Sequence, residues 1–243
     1  MGWISHIYFL FAVFSGTNRI AEKRVSVYDS KAILPAVCIG YILPTILMLL
    51  PFGNLTTRNY LGAIWQIAPL FCAALTIIIS KCLHLLDTEP LAGRTYTEGH
   101  IDTISRWYNK KDINALKLMY AFVFASSAIV HVTVVLYTWI ESGLSLWSWF
   151  TDLPNPFASE WGVLDPAETT YVFFRYDILF SSFPILIFLL HTTYDMRRLG
   201  YITTATAKRA VLAIFIGQVT VGPAATYAAT WYWRETVWAE LSY

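Results

Sequence analysis

Six apolar runs, at 3–16, 32–52, 60–86, 113–140, 171–191 and 209–233, occupy most of this 243-residue chain and leave it few ways to fold. A helix needs about 20 consecutive apolar residues to cross the hydrocarbon core of a bilayer, and all but the first run reach that length. Backbone N–H and C=O groups find no water in hydrocarbon, so long runs without strand alternation read as helices. A chain that is 56% hydrophobic and 14% charged has too little polar surface to cover a soluble globule. The expected fold is therefore all-α, a polytopic transmembrane bundle of about six to seven spans forming one domain, 1–243.

The charges orient that bundle. Of 17 Lys and Arg residues, all but Arg58, Arg175 and Arg234 lie in or beside the connections after the first, third and fifth runs. Positive connections stay in the cytosol, so these three basic segments are expected there, in a protein of the endoplasmic reticulum membrane. The net charge of +1 conceals this polarity and points to orientation in a lipid bilayer, with no nucleic-acid partner. Cys38, Cys72 and Cys82 are odd in number and lie inside predicted spans, which argues against a disulfide framework.

The first run is short and reads as a tilted span or an uncleaved anchor; a cleaved signal peptide is the weaker reading, because its basic residues follow the apolar core. Two connections are long. The basic one, 87–112, is a solvated connector with room for a surface helix at 97–108. The opposite one, 141–167, has no Lys or Arg and interleaves Glu141, Asp152, Glu160 and Asp165 with Trp147, Trp149, Phe150, Phe157 and Trp161. It reads as an interfacial aromatic belt, as a lid over a pocket, or as both.

Ionisable side chains inside spans are functional candidates by default, because hydrocarbon penalises each by at least ~2.5 kcal/mol. Asp177 lies on the order of 10 Å inside the fifth run, counting ~1.5 Å per residue from Tyr171. Glu141 closes the fourth run at the same face, and Gln66 follows Trp65 at a comparable depth in the third. Trp65, Trp139, Tyr176, Trp231 and Trp233 are expected to gather around this level. Aromatic faces stabilise a desolvated cation by ~2 kcal/mol or more per good contact. A carboxyl group embedded among them keeps its proton more readily than in water. An acid beside an aromatic wall suits carbocation chemistry, although aromatic residues also crowd every membrane interface. His131, in the middle of the fourth run, is a polar tie between helices or a proton-handling group. His191, Tyr194 and Asp195 with Arg197 and Arg198 read as a structural charge cluster. The Gly40 to Thr45 and Gly222 to Ala225 stretches suggest close packing and kinks.

No Asp-rich cluster for magnesium and diphosphate, no zinc spacing, no phosphate loop and no nucleophile elbow occurs in the chain. No cofactor or metal is expected. Asn54-Leu55-Thr56 is a sequon in a loop too short and too close to the bilayer to be readily occupied.

Leu34-Pro35, Gly40-Tyr41-Ile42-Leu43-Pro44-Thr45, Trp65-Gln66, Ala128 with His131, Arg175-Tyr176-Asp177, and Gly222-Pro223-Ala224 followed by Arg234-Glu235 form a pattern that covers the chain from the second run onward. It resembles the small integral-membrane terpene cyclases of fungal meroterpenoid pathways, of the ascochlorin, ascofuranone and macrophorin type. The resemblance implies metal-free, acid-initiated cyclisation of a farnesyl or related chain carried on an aromatic or quinoid core. The short first run departs from the fuller bundle of that family. On this reading Asp177 is the general acid, and Glu141 orients it, shares its proton or acts as the terminating base. Gln66 and Tyr176 position the reacting oxygen or the acid, and Trp65, Trp139, Trp231 and Trp233 line the cation's path, with His131 beside them. The alternative is a small-solute transporter or lipid-binding bundle, which would need a polar route from the Asp177 level through His131 and Gln218.

Overall fold

The computed structural model describes residues 7–11, 13, 25–50, 55–87, 111–142 and 166–241. All regular structure among them is helical, as expected: residues 7–11 and 13, then α1 Val27–Val37, a wide π-turn Cys38–Ile42, α2 Leu43–Leu49, α3 Leu55–Gln66, α4 Ala68–Asp87, α5 Lys111–Ser142, α6 Pro166–Arg198, α7 Thr204–Thr220 and α8 Pro223–Leu241. Among the described residues, four stretches are long and apolar enough to cross a membrane: Val27–Met48, Ala68–Leu86, Asp112–Ile140 and Tyr176–Arg198. The surface helix expected at 97–108 and nearly all of the 141–167 segment lie outside the described residues. The chain divides into two compact units, Arg24–Met119 and Met1–Lys23 with Tyr120–Tyr243.

In the unit Arg24–Met119, α1 and α4 lie antiparallel because a stripe of small residues lets them approach. Ala32 and Ala36 are fully buried and Gly40 continues their four-residue spacing. A Cβ built on Gly40 would sit 3.0 Å from Cys72 Sγ and 3.1 Å from Cys72 N. The start of α1 is capped by the Ser26 hydroxyl, which accepts from the Tyr28 and Asp29 amides at 3.2 and 3.4 Å. Farther along the same contact, Ser80 Oγ donates to Asp29 Oδ1 at 2.5 Å, and Tyr28 meets His84 edge to face.

Two prolines explain where the long runs of this unit deviate. Pro44 has no N–H, and its ring would crowd the carbonyl four residues back in an α-helix; the widened turn Cys38–Ile42 relieves this, with Leu43 N–H reaching Cys38 O. The run 60–86 was expected as one helix but is interrupted at Ile67, because Pro69 cannot donate to the ladder. There the Ile67 amide bonds Ile64 O at 3.2 Å and the Leu70 amide bonds Ile67 O at 3.0 Å, a tighter three-residue pattern, before α4 continues.

In the unit of Tyr120–Tyr243, α6 ends at a left-handed glycine, Gly200, with φ 79°. The Tyr201 amide closes the helix on Met196 O at 2.9 Å. Thr203 then caps α7 by accepting from the Thr206 amide. The apolar run 209–233, expected as a single kinked span, is instead two helices. Val221 and Gly222 amides both bond Gly217 O at 3.0 Å, Gly222 takes φ 90°, and Pro223 opens α8, where a missing N–H does no harm. The two helices form a hairpin, since Tyr201, at the entry to α7, meets Trp238 near the end of α8 with ring centroids 6.4 Å apart. Its tip packs on α5: a Cβ on Gly222 would lie 2.7 Å from His131 Nδ1, and His131 Nε2 lies 3.2 Å from Val219 O.

Candidate functional site

The hairpin decides which of the expected site residues can meet. α8 runs back toward the α6–α7 connection, so its aromatic residues move away from the Asp177 end of α6. Trp231 faces Phe188 at 6.0 Å between centroids. Phe188 is eleven residues past Asp177, about 16 Å along α6 at 1.5 Å per residue. Trp231, which is buried, and Trp233, which is half-buried, therefore lie farther along α6 than the level of Asp177. The physical reason is the positive φ of Gly222, which reverses the chain where a continuous helix would have carried it across.

Asp177 itself is half-buried on α6, and its backbone carbonyl accepts the Ser181 hydroxyl at 2.6 Å. Tyr176 beside it is half-buried and stacks on Phe180, with centroids 6.4 Å apart. Glu141 ends α5, and its side chain lies outside the described residues. Trp139 is 63% exposed, the disposition of an interfacial residue. Trp65 and Gln66 belong to the other unit. There the Trp65 indole N–H donates to Thr45 Oγ1 at 3.0 Å and its ring lies 6.2 Å from Tyr41, while Gln66 is exposed. His131 sits under the hairpin tip with both ring nitrogens against it, the arrangement of a tie between helices. At the end of α6, buried Asp195 pairs with Arg198 at 3.3 Å and lies 3.8 Å from His191, as a structural charge cluster would.

The buried charge that linear counting misplaced is on α8. Positions 227, 231, 234 and 238 fall on one face of that helix, at spacings of four, three and four. They carry Tyr227, Trp231, Arg234 and Trp238. Arg234 is only 5% exposed; its guanidinium carbon lies 3.1 Å from the Trp231 ring centroid and 4.2 Å from that of Trp238. Its Nη2 donates to Oε1 of the buried Glu235 at 2.7 Å. Among the described residues, Nε and Nη1 of Arg234 find no acceptor. Next to this pair the aromatic surface is continuous. Phe9 packs on Phe188 at 4.9 Å and on Tyr227 at 6.2 Å, and Tyr227 packs on Trp231 at 5.6 Å.

Such ring faces stabilise positive charge, and here one of them carries the Arg234 guanidinium with Glu235 as its counter-ion. The Glu235 carboxylate is held by the Arg234 guanidinium at contact. The Arg234-Glu235 dipeptide was visible in the sequence, but its burial followed only from the chain reversal at Gly222. No match to this chain exists among curated proteins or solved structures. Its residues 2–238, a stretch that includes Asp177, Glu141 and the Arg234–Glu235 pair, match the model of the CtvD domain, and the chain belongs to the CtvD domain family.

Proposed function

We propose that this chain is a membrane-embedded terpene cyclase that protonates an epoxide or olefin of a prenylated aromatic or quinoid substrate and guides the resulting carbocation through ring closure without metal. The observation that carries this reading is the ring cluster of Phe9, Phe188, Tyr227 and Trp231, which already accommodates one desolvated cation, the Arg234 guanidinium balanced by Glu235. The about 16 Å of α6 between Asp177 and Phe188 is a length that an extended farnesyl chain covers. Asp177 is the proposed proton donor, with Tyr176 positioning the reacting group and Glu141 orienting the acid or taking up the final proton. The ring faces then stabilise the migrating charge, which exists only during reaction and so favours the transition state over the bound substrate. Membership of the CtvD domain family fits a biosynthetic cyclase loosely and names no substrate. A carrier would need a polar route through His131, and the engagement of that ring by Val219 O and the hairpin tip does not favour one.

The test uses membranes containing the chain, a panel of prenylated aromatic epoxides and olefins, and two variants. Asp177→Asn keeps shape but cannot deliver a proton, so turnover should fall by ~10² to 10⁴-fold while the protein stays inserted and folded. Trp231→Leu removes one desolvated ring face, so the rate should drop on the order of 30-fold with little change in substrate affinity. Undiminished turnover in Asp177→Asn removes that residue from the mechanism. Equal loss of binding and rate in Trp231→Leu, with unchanged products, removes the carbocation reading.

A further inference from the structure

We infer that the Arg234–Glu235 pair is a recognition site for a neutral ring-borne carbonyl oxygen, so that it holds the quinoid or acyl-aromatic head of the substrate. The inference rests on the cyclase reading for the class of molecule, and adds which group of that molecule is gripped and by what.

Arg234 is 95% buried, counting from its 5% exposure, yet only Nη2 has a partner. Nε carries one further N–H and Nη1 two, and none of these meets an acceptor among the described residues. Buried donors on a cation are strongly penalised when left unmade, so the site is complete only with an additional acceptor. Three features define that acceptor. Trp231 and Trp238, one turn to either side on the same helix face, lie over the guanidinium, so an acceptor must approach along its edge, in plane. Tyr227 and Phe188 continue from Trp231 as ring surface, so whatever bears the acceptor is flat and otherwise apolar. Glu235 already neutralises the guanidinium at 2.7 Å, so a full anion such as a lipid phosphate would be repelled by a carboxylate at contact, while a neutral carbonyl would not. A ring carbonyl meets all three.

The experiment measures binding without chemistry. The probe is a benzoquinone bearing a fully saturated farnesyl-type chain, which cannot be protonated to a cation; the control carries the same chain on a benzene ring. Affinities are measured by competition against the tritiated quinone, with the protein in phosphatidylcholine nanodiscs. Wild-type protein should bind the quinone about tenfold or more tightly than the benzene control, the effect of a hydrogen bond from a charged donor. The double variant Arg234→Leu/Glu235→Leu replaces the pair with apolar volume and so avoids stranding a buried charge. It should fold, bind the benzene control as the wild type does, and lose the preference. Should the double variant not fold, Arg234→Lys with Glu235 intact, which keeps the charge and loses the fork, should reduce the preference at least threefold. A preference that survives in these variants, or is absent from the wild type, overturns the inference. So does displacement of the quinone by phosphatidic acid at equal mole fraction, which would assign the site to a lipid phosphate. Turnover of an unsaturated substrate by a wild type without quinone preference sinks this inference alone. Quinone preference without any turnover supports the site and removes the cyclase reading.

Discussion

At Gly40 the chain widens one helical turn and carries on; at Gly222 it stops and comes back. Both glycines were read from the sequence as places of close packing and a kink, and each is followed by a proline within four residues. The difference lies in register. Pro44 sits four residues beyond Gly40, so the lost hydrogen bond falls inside a helix and is absorbed when Leu43 reaches Cys38 O across a π-turn with right-handed backbone throughout. Pro223 follows Gly222 directly, so the proline starts a helix rather than interrupting one, and the glycine before it is free to take φ 90°. In this chain, then, the adjacent glycine–proline pair ends a helix and the pair one turn apart only distorts it.

The sharpest way to break this comparison is Gly222→Ala. A Cβ there would meet both a left-handed backbone and the His131 ring at 2.7 Å. Strain and overpacking together should destabilise the protein by roughly 2–5 kcal/mol, read as unfolding free energy in mixed micelles. Adding His131→Ala should restore only the steric part. If Gly222→Ala proves harmless, the tip is not the turn described. Gly40→Ala should be milder, about 1 kcal/mol destabilising, because overpacking against Cys72 is partly offset by the better helix propensity of alanine. Here Cys72→Ala should not rescue, since Cys72 N and Cα remain at 3.1 and 3.2 Å. Full rescue would show that the contact is with the side chain alone. Gly62, in α3, has open space where a Cβ would stand, with nothing within 4 Å, so Gly62→Ala should stabilise by up to about 0.5–1 kcal/mol. A loss there would mean that α3 is packed against something its helical geometry does not reveal.

Much of the helical plan was legible because it depends on composition over some 20 residues at a time, and four of the expected runs appear as helices able to span. What escaped depended on single dihedral angles and missing amides. The interruption at Ile67 follows from Pro69, whose effect on a long apolar run is invisible to hydropathy. The reversal at Gly222 set Trp231 against Phe188, well along α6 from Asp177, because counting 1.5 Å per residue along a straight helix has no term for a positive φ. Local groupings fared better. Asp195 does join His191 and Arg198, one helical turn apart, since neighbours at three and four residues require no knowledge of the chain's path. The expected association of Asp177 with Trp231 depends on that path.

A hairpin contributes nothing to the parity of a membrane protein. A single crossing at 209–233 would have set the two ends of that run a bilayer apart; the hairpin instead brings Tyr201 and Trp238 together, at 6.4 Å between ring centroids. Reporter fusions at residue 241 and insertions at residue 200 should thus share a redox environment, a glycosylation machinery and an enzymatic accessibility. Arg234, one of three basic residues set apart from the majority in the linear order, then lies on the returning arm of the hairpin, so its position in the sequence says nothing of the side it serves.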